Sequence, residues 1–167
     1  MTVIVVVVII ALLSGAFAWK YHSEQEYRRY MGLFRGAYAE YYGEASMLFV
    51  YVRVKMRLEL LYFNATHIKW LTYVKVETPL KTFENSTTSW VSLQGRREDM
   101  IEDTVYIEGI GTRDVYITHS RGATYYLDKQ SGWPLKIDIA IYQQYSLSLR
   151  LIRSNIPILK EMLKSGE

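Results

Sequence analysis

From Met47 onward the apolar and polar positions alternate. Val52, Val54, Met56, Leu58 and Leu60 interleave with Arg53, Lys55, Arg57 and Glu59. A period of two sends successive side chains to opposite faces, so this stretch predicts a half-buried strand. Asn64-Ala65-Thr66 predicts a turn, and Ile68–Glu77 the returning strand, with Ile68, Trp70, Val74 and Val76 on one side. Pro79 ends it. Thr87–Leu93 predicts a third strand and Gln94–Asp103 a charged loop. Short strands follow at 104–108 and 112–118, around Gly109-Ile110-Gly111. Segments 123–128 and 133–142 flank Lys129-Gln130-Ser131-Gly132, a hairpin connection with glycine placed for a positive φ. Residues 145–153 predict a last strand, with Leu147, Leu149 and Leu151 inward. Pro157 then suits the first turn of a short terminal helix.

Ahead of these strands the period is different. Tyr27, Tyr30, Met31, Phe34, Tyr38 and Tyr41 recur at helical spacing, Ser23 and Glu26 have the spacing of a capping box, and Gly43 is a plausible stop. The expectation is an amphipathic helix over 23–42. Its aromatic face would either lie on the sheet or bind an apolar ligand or partner. Earlier still, residues 2–19 are apolar and uncharged, long enough to cross a bilayer's hydrocarbon core. Trp19, Lys20 and Tyr21 end that run as membrane-interface residues do. Ala16-Phe17-Ala18 also fits a small-x-small cleavage site, so the alternative is a secreted chain cut near Ala18.

These elements predict a mainly β, α+β chain. A transmembrane helix precedes an amphipathic helix packed on a curved antiparallel meander of seven or eight strands, with a β-sandwich as the alternative. The divisions are 1–19 (anchor or signal segment), 20–43 (amphipathic helix), 44–156 (β domain) and 157–167 (short helix and tail). The partners expected are membrane lipid, through residues 2–19, and other membrane or envelope proteins.

Charge and composition narrow the chemistry. A net charge of +3 gives no reason to expect nucleic acid. Without cysteine the chain has neither a disulfide framework nor a thiol nucleophile. His22, His67 and His119 lie in unrelated segments without ligand spacing, and no G-x-S-x-G or G-K-[ST] motif occurs. The expectation is no enzyme, no cofactor and no bound metal. Glu98, Asp99, Glu102 and Asp103 form the one acidic cluster, read as a solvated loop beside Arg96-Arg97. Arg53, Lys55 and Arg57 would face either anionic headgroups or solvent, offset by Glu59 and Glu77. Two N-x-S/T sequons, at Asn64 and Asn85, mark glycosylation candidates and favour an extracytoplasmic β domain. Lys20, Arg28, Arg29 and Arg35 pull the other way under the positive-inside rule.

The segment Thr124 to Lys136, with its Asp128-Lys129-Gln130-Ser131-Gly132-Trp133-Pro134-Leu135-Lys136 turn, precedes an alternating strand ending at Asn155-Ile156. It resembles the C-terminal hairpin of uncharacterised archaeal membrane-anchored proteins and half-barrel envelope domains of the lipoprotein-carrier type. The resemblance implies an extracytoplasmic β domain and carries over no catalytic residue. The leading functional expectation is a single-span membrane protein whose β domain makes protein contacts in a cell-envelope or viral-envelope assembly. The alternatives are a carrier or sensor for an apolar ligand held between sheet and helix, and a pilin-like filament subunit.

Overall fold

Residues 34–47, 50–64, 66–92, 100–120, 122–142 and 145–166 are described by the computed structural model. The expected membrane span, the interfacial Trp19, Lys20 and Tyr21, and Tyr27, Tyr30 and Met31 lie outside the described residues. The strands are β1 (Tyr38–Met47), β2 (Val50–Phe63), β3 (His67–Glu77), β4 (Thr82–Ser92), β5 (Ile101–Ile107), β6 (Gly111–Ser120), β7 (Ala123–Asp128), β8 (Pro134–Tyr142) and β9 (Tyr145–Ser154); the helix α1 is Pro157–Ser165. No described helix is long and apolar enough to cross a membrane.

Among the described residues nine strands join one open antiparallel sheet in the order β4-β3-β2-β1-β9-β8-β7-β6-β5. This excludes the sandwich alternative, which needs two sheets. The first and last strands meet at the centre, where Tyr41 opposes Leu151 and Tyr42 opposes Arg150. The two halves are local meanders joined by that single long-range ladder. It leaves β4 and β5 as the edges.

The helix expected through Tyr42 ends differently: residues 38–47 are strand. Ala37, Ala39, Tyr41 and Ala45 are buried at a period of two, while Tyr38 and Tyr42 turn outward. Pairing with both β2 and β9 supplies hydrogen-bond partners on each side, and this outweighs the helical spacing of Tyr38 and Tyr41. Two further boundaries move. β4 begins at Thr82 instead of Thr87, and β5 takes in residues 101–103 of the expected loop.

The apolar face is the concave one. Trp70 of β3 and Trp133, which leads into β8, meet edge-to-face with centroids 5.0 Å apart. Four strand spacings separate β3 from β8, about 19 Å in a flat sheet. The sheet therefore bends until its inner faces touch. Trp133, Leu135, Ile137, Leu58 and Leu60 are fully buried there. The β7–β8 turn holds Trp133 in place. Asp128 accepts from the backbone N–H of Ser131 at 2.6 Å, and the Gly132 N–H donates to the Asp128 carbonyl at 2.7 Å. Gly132 takes φ 72°, a conformation glycine adopts without a Cβ penalty.

Cross-strand partners share a face. One row runs Ile101–Ile117–Tyr126–Lys136–Arg150–Tyr42–Lys55–Lys75–Glu84 through all nine strands. It is polar from β8 to β4. On β5 and β6 the same side carries Ile107 and Val115, which are buried. The apolar side thus switches between β7 and β6, and β5 folds back over the polar face. Glu108 forms an ion pair with Arg150 there. Beside them, Arg113 donates to Ser165 at the end of α1 at 3.3 Å.

Candidate interaction surface

The basic row of β2 is largely neutralised. Arg57 pairs with Glu40 at 3.0 Å and Glu59 at 2.9 Å, and its guanidinium lies 4.0 Å from the centroid of the Tyr38 ring. Arg53 reaches Glu44 at 3.4 Å, and Lys75 reaches Glu77 at 2.9 Å. The hydrogen bond from Lys75, helped by the nearby charges of Lys75, Lys55 and Arg53, holds the Glu77 carboxyl below its usual range. Exposed pairs of this kind contribute little to stability, but they cancel the field that would attract anionic headgroups.

The remaining sequence candidates separate clearly. Phe34 is exposed and Tyr38 lies on the polar face. Tyr41 is buried in the core, where its hydroxyl donates to the Pro134 carbonyl at 2.9 Å; burial pushes its phenol well above the usual range. The stripe Tyr27–Tyr41 is therefore not one face at its C-terminal end. Asn64 sits exposed in the β2–β3 turn, accepting from the N–H groups of Thr66 (2.9 Å) and His67 (2.8 Å). Asn85 lies in the middle of β4, opposite Val74. Glu102 and Asp103 are consecutive on β5 and so point to opposite faces; Glu102 pairs with Lys129 at 2.8 Å. Among the described residues no group of three or more His, Asp or Glu side chains is placed to hold a metal ion.

A pocket of about 440 Å³ opens where β5 folds back, between Tyr106 and Glu108 on one side and Tyr42, Glu44, Lys136 and Arg150 on the other. Its charges are already matched. Arg150 pairs with Glu108, Lys136 with Asp138 at 2.8 Å, and the Tyr42 hydroxyl donates to Glu44. That last bond raises the Tyr42 phenol and lowers the Glu44 carboxyl.

The least defended surface is the β4 edge. A bulge between Leu60 and Tyr62 turns Tyr62 onto the polar face, in register with Lys69 of β3, which opposes Trp90 of β4. Tyr62 and Trp90 meet edge-to-face at 6.0 Å, and the Lys69 ammonium lies 5.6 Å from the Trp90 centroid. Both rings remain about half exposed, at 48% and 55%. Aromatic side chains set on a strand edge in this way give an interface contact area at low entropic cost. Sequence reasoning missed this trio because its members spread over 28 residues and the bulge that aligns them falls in the apolar run Leu60-Leu61-Tyr62-Phe63, whose faces a period of two does not assign. The signal that was present is Trp90 itself, a large apolar residue on the polar side of a predicted strand.

No family model matches this chain, and no curated protein matches it.

Proposed function

We propose that this chain is a membrane-held, non-enzymatic protein whose β domain lies outside the cytoplasm and works through protein contacts in an envelope assembly. The observation that carries the reading is the β4 edge with its Tyr62–Lys69–Trp90 row, whose two rings are exposed. The apolar run 2–19 supplies the hold on the membrane, and a domain fixed at a surface needs less intrinsic affinity for partners fixed beside it. An apolar-ligand carrier needs vacant interior volume. The space inside this sheet is filled by Trp70, Leu135 and Ile137, each no more than 2% exposed, which favours contact over carriage.

Photo-crosslinking in the native membrane tests the reading. A benzophenone amino acid at position 90 is expected to give protein adducts, whereas the same probe at exposed Glu161 on α1 is not. Adducts at position 90 no stronger than at 161 would overturn it. Because the chain lacks cysteine, Glu161→Cys also reports the side of the membrane through an impermeant maleimide.

A further inference from the structure

We infer that β4 is a self-pairing edge, and that a second copy of this chain adds its own β4 antiparallel to it about a two-fold axis at Thr87. The inference rests on the protein-contact reading and adds to it the partner and the register.

The two edges of the sheet differ. β5 is seven residues long, contains Glu102 and Asp103, and is followed by Glu108, which ties its end to Arg150. Charges and a folded-back course are how edge strands avoid pairing with other chains. β4 has neither. It runs eleven residues without proline, its register against β3 is unbroken from Thr82 to Ser92, and Glu84 is its single charge. Among the described residues nothing pairs with its outer side.

Self-complementarity identifies the occupant. A two-fold axis normal to the sheet keeps each face on its own side, so paired residues must share a face. Centred on Thr87, all eleven positions pair. Phe83 opposes Val91, Asn85 opposes Ser89, and Thr87 opposes itself on the core-side face. Ser86 opposes Thr88, and Glu84 opposes Trp90, on the other. Threonine pairs and aromatic–β-branched pairs stabilise antiparallel neighbours, and no like charges meet. Moving the axis to Ser86 or Thr88 loses two paired positions and sets Phe83 or Val91 against a polar residue or none. A polar strand specifies its register weakly along its middle. Here the apolar ends select it. The bare edge also presents its outward N–H and C=O groups to the matching groups of the second strand, which is the basis of strand addition.

The chain's lack of cysteine makes the test direct. In membranes holding the full chain, Thr87→Cys places two thiols on opposed residues, whose Cα atoms in an antiparallel pair lie about 4.5–5.5 Å apart, within disulfide reach. Mild oxidation is expected to convert most of this variant to a covalent dimer. Asn85→Cys alone puts the thiols roughly four residues, or about 14 Å, apart and is expected to stay monomeric. Asn85→Cys co-expressed with Ser89→Cys should cross-link. Thr87→Lys, which opposes two ammonium groups at a half-buried position on the core-side face, is expected to shift detergent-solubilised protein from dimer to monomer in light scattering while its far-UV circular dichroism stays that of the wild type. Absence of the Thr87→Cys dimer, or equal cross-linking at Asn85 alone, overturns the inference. If position-90 adducts to another protein persist in that case, the contact reading stands without it; if they are absent too, both fall.

Discussion

Replacing Gly43 by alanine adds one methyl group where β1 leaves its ladder with β9. A Cβ at this position would lie 2.2 Å from the Ser148 carbonyl oxygen and 2.9 Å from Leu149 Cδ2. The side chain of Leu149 is able to turn aside, but the Ser148 carbonyl belongs to a strand held on its far side by β8. Relief therefore needs a backbone shift of about 1 Å in a paired strand, which puts the cost at the upper end of the ~1–3 kcal/mol typical of overpacking. Alanine also restricts the unfolded chain, returning about 0.4–1 kcal/mol. The expected net loss is about 2 kcal/mol, read as a lower urea midpoint at unchanged slope. Gly36→Ala is the control. Gly36 has nothing within 4 Å of its would-be Cβ but takes φ +83°, so it pays only the left-handed penalty of about 1–2 kcal/mol. Asparagine, which tolerates that conformation, should recover part of the loss at 36 and deepen it at 43. If Gly43→Ala matches wild type, or Asn proves milder than Ala at position 43, the close approach of β1 to β9 is wrong.

Two further substitutions probe the interior. Trp133→Ala removes half of the indole pair that bends the sheet and should cost about 3–5 kcal/mol, while Trp133→Phe should cost much less. Among the described residues neither indole N–H has an acceptor, so the pair acts by packing; equal losses for Ala and Phe would contradict this. Tyr41→Phe tests the buried phenol. Its folded-state pKa lies above the unfolded value of about 10, so its stabilising share is complete below that pH and falls as pH rises beyond it. The variant should lose about 1 kcal/mol near neutrality, from the orphaned Pro134 carbonyl. It should then decline less steeply than wild type above about pH 10 in denaturation titrations; parallel slopes would remove Tyr41 from the account.

Much of the β architecture was visible in the alternation. Val52 to Leu60 and Leu135 to Ile141 carry large apolar residues on one face only, which is the pattern an antiparallel sheet covered on one side imposes. β1 was not visible because its inward positions, Tyr41 apart, are the small residues Ala39, Gly43 and Ala45. Small residues give no hydrophobic signal, and they are there to let β9 approach closely. β4 was cut short for the opposite reason: an edge strand with Asn85, Thr87 and Ser89 on its inner side lacks any strong contrast between faces. The interaction surface was the least legible. Its trio depends on a bulge at Leu61 and on the pairing of β1 with β9, which makes β4 an edge at all. Such neighbour relations are set by contacts more than a hundred residues apart, beyond the reach of a local period.

The central position of β1 has a mechanical consequence. A pull applied through the chain before Phe34 arrives at Tyr38, a strand flanked on both sides, so its ladders with β2 and β9 are loaded in shear and must yield together. A strand at the rim would instead unzip one bond at a time. The point of attachment is reinforced further. Asn155 accepts from the Tyr38 N–H at 2.7 Å and donates to the Gly36 carbonyl at 2.9 Å, Ser154 donates to the Tyr38 carbonyl at 2.7 Å, and Gly36 and Ala37 exchange backbone bonds with Leu60 at 2.8 Å each. Tension from that side is thereby shared with both halves of the sheet, while β4 and β5 stay out of the load path.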